Sequence, residues 1–127
     1  MNDEKLTYAK SGVDISAGEK ASRAAYKNAK TTFSSRAGRI GEPMKIDGGF
    51  AGALDFGNFL LIQNDDGTGS KSEIAERLGK YDTIGEDLLT TVCDDAICVG
   101  AECVSLTNTF DVPRVNFDVI ETMTAGL

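Results

Sequence analysis

The sequence predicts an α+β fold in which helices pack on a mixed or antiparallel sheet. Three observations lead there. Helical stretches opened by Ser/Thr-x-x-Glu boxes alternate irregularly with short apolar runs. Six of the 14 glycines gather at 48–57 and 67–69 instead of spreading along a linker. The order read along the chain is helix, strand pair, helix, helix, strand, helix, which is no regular βαβ series.

Each element has its own signal. Ser16-Ala-Gly-Glu19 opens a helix to about Phe33, with Ala21, Ala24, Ala25 and Ala29 as a small-residue face and Arg23, Lys27 and Lys30 making it basic. Phe50 to Phe56 is a Gly-rich strand that something approaches closely. Asn58 to Asn64 reads as a buried strand around Phe-Leu-Leu-Ile. Ser70-Lys-Ser-Glu73 opens a short helix with Ile74 and Leu78 inward and Gly79 as its stop. Thr83-Ile-Gly-Glu86 opens a third helix to about Val99, ended by Gly100. Cys103 to Phe110, rich in Val, Thr and Phe, is a further strand, and a last helix begins near Arg114. Residues 1–127 are expected to form a single, incomplete domain, a piece of a larger fold whose C-terminal domain is absent.

Composition narrows the function. A chain that is 41% hydrophobic is globular. Its longest apolar run, Phe59–Ile62, is far short of the roughly 20 residues a membrane helix needs. The start, Met-Asn-Asp-Glu-Lys, has no secretory pattern. A cytoplasmic protein with no membrane partner is the expectation. A net charge of −7 argues against nucleic acid as a partner. The charge is uneven, with residues 1–45 net +4 and residues 46–127 net −11. An acidic stretch is either a solvated surface or a place where carboxylates meet a hard cation such as Mg²⁺.

Cys93, Cys98 and Cys103 follow a C-x4-C-x4-C spacing that is no zinc pattern, and the chain contains no His. They read as reduced, partly buried thiols. Without His, Ser-His-Asp and Cys-His nucleophile systems are excluded. Chemistry has to rest on carboxylates, Lys, Arg, backbone amides and a bound metal.

The sharpest segment is Asn64-Asp-Asp-Gly-Thr-Gly-Ser-Lys71, between an apolar run and a helix start. Glycines that turn backbone N–H groups together ahead of a helix N-terminus suit a phosphate. Asp65 and Asp66 supply hard oxygens for Mg²⁺, and Lys71 a compact positive charge. An ordinary Gly-rich turn is the competing reading. Gly67 and Gly69 stand too close together for a Walker A loop. Counting back from Gly67 puts Ile62 where an EF-hand needs its first acid. On the third helix, Asp87 and Asp94 fall within about 20° of each other, with Asp95 about 80° round from Asp87. Asp94 and Glu86 read as a solvated face. Asp95 falls in the apolar stripe and needs a partner, either a metal or a cationic side chain.

Taken together, these segments are similar to one family. Tyr8-Ala-Lys-Ser-Gly-Val-Asp-Ile-Ser-Ala-Gly18 resembles the N-terminal signature of phosphoribosylformylglycinamidine cyclo-ligases (aminoimidazole ribonucleotide synthetases). Gly48-Gly-Phe-Ala-Gly52 resembles their glycine loop, and Asp66-Gly-Thr-Gly-Ser-Lys71 their D-G-V-G-T-K. Tyr81-Asp-Thr-Ile-Gly-Glu-Asp-Leu88 resembles H-D-T-I-G-x-D-L. Asp95-Ala-Ile-Cys-Val-Gly-Ala-Glu-Cys103 resembles the D-x4-G-A-x-P signature shared with related ATP-dependent enzymes.

The resemblance implies the N-terminal ATP-binding domain of that type and a part in purine biosynthesis. There, ATP activates the amide oxygen of formylglycinamidine ribonucleotide and an amidine nitrogen closes the ring. ATP and Mg²⁺ are the implied cofactors. It implies Asp66 and Asp95 as Mg²⁺–phosphate carboxylates, and Gly49, Gly67, Thr68, Gly69, Ser70 and Lys71 at the nucleotide. Asp82 and Asp87 would share the same acidic wall. No catalytic residue is assigned. A homodimer built through strands of this domain is implied, as is a missing C-terminal half, carried on a longer or a separate chain.

The sequence also departs from the family. Cys103 replaces its Pro, Asp94 the Asn before the signature Asp, Thr68 and Ser70 its Val and Thr, and Asn108-Thr109 its Asp-Tyr. The alternative function is a non-catalytic truncated or split paralogue, serving as a dimerisation or nucleotide-binding module. Selenophosphate synthetases and thiamine-monophosphate kinases share some of these motifs, but the Gly-Val-Asp-Ile start and the Asp-Thr-Ile-Gly run count against them.

Overall fold

The computed structural model describes residues 6–45 and 51–127. The chain divides into two compact units, Met1–Glu42 and Pro43–Leu127.

In the first unit a turn closed by the Ser11 and Val13 amides on the Thr7 and Tyr8 carbonyls leads into helix α1, Ile15–Lys30. The helix forms as expected, but its cap differs. Asp14, in extended backbone, accepts from the Ala17 amide at 3.0 Å, and the Ser16 hydroxyl donates to the same carboxylate oxygen at 2.9 Å. Asp14 is therefore the N-cap, and Ser16 lies inside the helix. No residue of α1 is buried, so the alanine face packs no core here. A 3-10 turn, Phe33–Arg36, follows. Tyr26 meets Phe33 edge-on at 6.4 Å and carries the Lys30 ammonium 5.4 Å from its ring centre. The Arg36 guanidinium donates to the Ile40 carbonyl, and the Gly38 amide to Glu42.

Strands β1 (Glu42–Met44), β2 (Gly52–Asp55) and β3 (Leu60–Gln63) form one sheet in the order β1-β2-β3. β2 and β3 are antiparallel, with Ala53 opposite Ile62 and Asp55 opposite Leu60. Gly57, at φ +83°, turns the hairpin, and its amide donates to Asp55 at 2.6 Å. Phe56 and Phe59 stack across it at 5.3 Å. The expected buried strand is shorter and wetter than its apolar sequence suggests. Leu60 is exposed, and Leu61 and Ile62 are half-buried.

Helix α2 (Lys71–Leu78) ends at Gly79 in the left-handed region, as its sequence requires, but Ile74 and Leu78 are exposed and Ala75 is the residue it buries. Helix α3 (Ile84–Ile97) ends in a Schellman turn, in which Gly100 at φ +77° donates to Ile97 and Ala101 donates to Ala96. Neither α2 nor α3 has the side-chain cap its Ser/Thr-x-x-Glu box predicts. Ser70 and Thr83 sit in right-handed helical backbone, not the extended conformation that aims a cap hydroxyl at the first-turn amides. The expected strand Cys103–Phe110 is absent, because no neighbouring strand completes a ladder for it among the described residues. Helix α4 (Phe117–Thr124) starts later than expected, where the Asn116 side chain accepts from the Asp118 and Val119 amides.

The buried hydrophobic residues among those described are Ala53, Ala75, Ile84 and Ala96. Around this small centre α4 approaches α3 through glycine. A Cβ on Gly85 would collide with the Met123 carbonyl oxygen, and one on Gly126 would lie 2.9 Å from the Glu86 amide. Gly85 is thus a packing requirement inside the Asp82–Leu88 segment.

Candidate functional site

The candidate site is built from β3, α2 and α3, all within the second unit. Where β3 ends, the Asn64 side-chain amide donates to the Val92 carbonyl of α3 at 2.9 Å. That bond spans 28 residues and ties the acidic turn to the middle of the helix. Asn64 heads the segment the sequence singles out, but no local pattern announces this long-range role for its side chain.

The turn then runs through Asp66, Gly67, Thr68 and Gly69. The Gly67 amide donates to Asp66 Oδ1 at 2.6 Å. Gly69, at φ +56°, adopts backbone that a side chain would disfavour. The Lys71 and Ser72 amides donate back to the Thr68 and Gly69 carbonyls, and the Thr68 and Ser72 hydroxyls share a bond at 2.6 Å. Ser70 leads into α2 with its carbonyl accepting from Ile74.

Lys71, on the first turn of α2, reaches α3. Its Nζ lies 2.9 Å from Asp87 Oδ1, so the Asp66–Lys71 turn and the Tyr81–Leu88 segment meet in space. Beside the pair runs a groove of about 220 Å³, lined by buried Ala75 and Ile84, exposed Ile74, and the charged Lys71, Lys80 and Asp87. Asp82 lies on the same α2–α3 connection. The Lys80 ammonium donates to both of its oxygens, at 2.6 and 2.7 Å, and holds the Asp82 carboxyl below the usual range.

Asp95 is half-buried in the last turn of α3, and its carboxylate has no hydrogen-bond or ion-pair partner among the described residues. Asp94 and Glu86 are exposed, as a solvated face requires. Gly49 lies outside the described residues. No group of three or more Cys, Asp or Glu side chains that could hold a metal forms among the described residues. Asp66 and Asp95 thus belong to no ready-made cage, a form that suits calcium or zinc better than a hydrated magnesium ion. Magnesium keeps several waters and takes one or two carboxylates beside its phosphates.

The cysteines are all free thiols. Cys103 Sγ donates to the Cys93 carbonyl at 3.8 Å, and hydrogen bonding to the Cys103 thiol pushes the Cys93 thiol up from its ordinary value. No helix among the described residues is long and apolar enough to cross a membrane.

Comparison with known proteins bears out the resemblance. The chain is 43% identical over 122 residues to the phosphoribosylformylglycinamidine cyclo-ligase of Pyrococcus furiosus, covering 96% of this chain and 36% of that protein. The Thermococcus kodakarensis protein of the same name is 41% identical over the same shares. That of Methanocaldococcus jannaschii is 35% identical, over 96% of this chain and 33% of its own length. The chain therefore spans about a third of the length of the curated relatives it matches. No family model matches the chain, and no solved structure does.

Proposed function

We propose that this chain is the nucleotide-binding portion of a phosphoribosylformylglycinamidine cyclo-ligase, serving the ATP-dependent closure of formylglycinamidine ribonucleotide to aminoimidazole ribonucleotide. The observation that carries the reading is the ion pair between Lys71 and Asp87, which unites two segments shared with the family. It is supported by identities of 35–43% to proteins of that name.

The role of each group follows from its chemistry. Lys71 offers a mobile ammonium at the mouth of a glycine turn, half exposed and free to exchange Asp87 for a phosphate oxygen. Asp87 holds that ammonium in place until the nucleotide arrives. Gly67, Thr68, Gly69 and Ser70 let backbone and hydroxyl groups come close to phosphate oxygens. Gly49 and Asp82 complete the set of residues assigned to the nucleotide. Asp66 and Asp95 are the carboxylates that would hold Mg²⁺, which supplies charge neutralisation at the phosphates when bound. Buried Ala75 and Ile84 line the groove beside Lys71 and lower the local polarity around its ammonium.

A second reading, a non-catalytic nucleotide-binding or dimerisation module, draws on two departures. Asp94 adds a negative charge beside Asp95, and Cys103 replaces a proline. It draws too on exposed apolar side chains such as Ile74, Leu78, Ile97 and Val104, which invite a covering partner.

One assay separates the readings. Aminoimidazole ribonucleotide formation is followed from ATP and formylglycinamidine ribonucleotide, with this chain alone and with the remaining two thirds of the Pyrococcus furiosus relative supplied as a separate polypeptide. Product that depends on both polypeptides supports the cyclo-ligase reading. Nucleotide binding without product in either mixture supports the module.

A further inference from the structure

The Schellman turn at Gly100 does more than end α3. By sending Ala101 back toward Ala96, it returns the chain along the helix and brings Cys103 beside Cys93, ten residues earlier. The Cys103 thiol donates to the Cys93 carbonyl at 3.8 Å, which sets Cys103 Sγ against the residue that carries the second thiol. Cys103 is exposed, and Cys93 is half-buried on α3. Cys98 sits at the end of α3, about 140° round the helix from Cys93 and outside this pair.

We propose that Cys93 and Cys103 form a vicinal dithiol site that a small-molecule disulfide converts to an intramolecular disulfide. The exposed Cys103 sulfur attacks one sulfur of the small disulfide, releasing one thiol and leaving a mixed disulfide. The Cys93 sulfur then attacks Cys103 and expels the second thiol. Two cysteine thiols are oxidised, one small disulfide is reduced to two thiols, and the cysteine protons end on the released thiols. The bond staples the Asp94–Glu102 segment across the Gly100 turn. This inference does not depend on nucleotide binding.

Spacing makes it sharply testable. Cys98 is equidistant in sequence from Cys93 and Cys103, so a chain without structure closes the two short loops to Cys98 more readily than the long one. Only the folded turn favours Cys93 with Cys103. The full chain, reduced and then exposed to oxidised glutathione, is alkylated without reductant and cleaved before Asp and after Glu. That double cleavage puts each cysteine on its own peptide, since Asp94, Asp95 and Glu102 separate them. The expected product is a Cys93–Cys103 crosslinked peptide, about 2 Da lighter than its reduced halves, with Cys98 alkylated. The same product is expected from Cys98→Ser, and the Cys93–Cys103 preference is lost when the oxidation is run in denaturant. Pairing through Cys98 in the native chain, or glutathione adducts with no internal bond, would overturn the proposal. So would a Cys93–Cys103 yield that denaturant leaves unchanged.

Discussion

Lys71 Nζ stands 2.9 Å from Asp87 Oδ1, joining the first turn of α2 to the first turn of α3. Both side chains are well exposed, at 54% and 36%, so the pair contributes at most about 1 kcal/mol to folding. Its value lies in holding a cation at the mouth of the Asp66–Gly69 turn. Asp87→Ala is therefore expected to shift the denaturation midpoint little. Lys71→Ala should lower ATP affinity about tenfold or more, the worth of a hydrogen bond to a charged group. Denaturant titration beside ATP titration of the two variants checks this. A Lys71→Ala protein that binds ATP as the parent does would remove Lys71 from the site.

Gly85 faces the C-terminal end of α4 so closely that a methyl group has no room against the Met123 carbonyl and Gly126. Gly85→Ala should destabilise the second unit by about 1–3 kcal/mol, the usual cost of overpacking. Gly126→Ala meets the Glu86 amide at 2.9 Å and should lower stability in the same direction. Urea denaturation followed by circular dichroism reads both. An unchanged midpoint for Gly85→Ala would mean that α4 does not sit on α3 in this way.

Asp14 caps α1, and bonds from the Ala17 amide and the Ser16 hydroxyl hold its carboxyl below the ordinary Asp value of 3.8. A carboxylate with a lowered folded value stabilises above the ordinary value, and that contribution disappears as pH falls through the lower one. The amides of the first turn of α1 should therefore lose protection as pH drops below about 4. Asp14→Asn should keep the cap and abolish that pH dependence. Asp14→Ala should fray the turn at every pH, while Ser16→Ala should do much less. Hydrogen exchange at Ala17 and Gly18 across this pH range decides it. Equal effects of Ser16→Ala and Asp14→Ala would return the cap to Ser16.

The helices could be read from the sequence because their stops are chemical. Gly79 and Gly100 take left-handed backbone that few other residues accept. The starts were harder. Ser70 and Thr83 match the capping pattern, but a cap also requires extended backbone, which the following turns decide. Asp14 and Asn116 hold their caps because the chain enters both helices extended. The strand expected at Cys103–Phe110 had suitable side chains and no partner among the described residues, and strand propensity cannot act without a ladder. In the candidate site, the turn and its lysine stood out through glycine spacing. The long-range Asn64–Val92 bond and the Gly85–Gly126 approach left no local pattern to find.

The central claim is that the Asp66–Lys71 turn is a magnesium–nucleotide site, and calorimetric titration of the purified chain with ATP, with and without Mg²⁺, tests it most directly. The account predicts saturable binding that requires Mg²⁺ and that Asp66→Asn abolishes while leaving the circular dichroism spectrum unchanged. Binding indifferent to both magnesium and Asp66, or no binding by a folded chain, would contradict it.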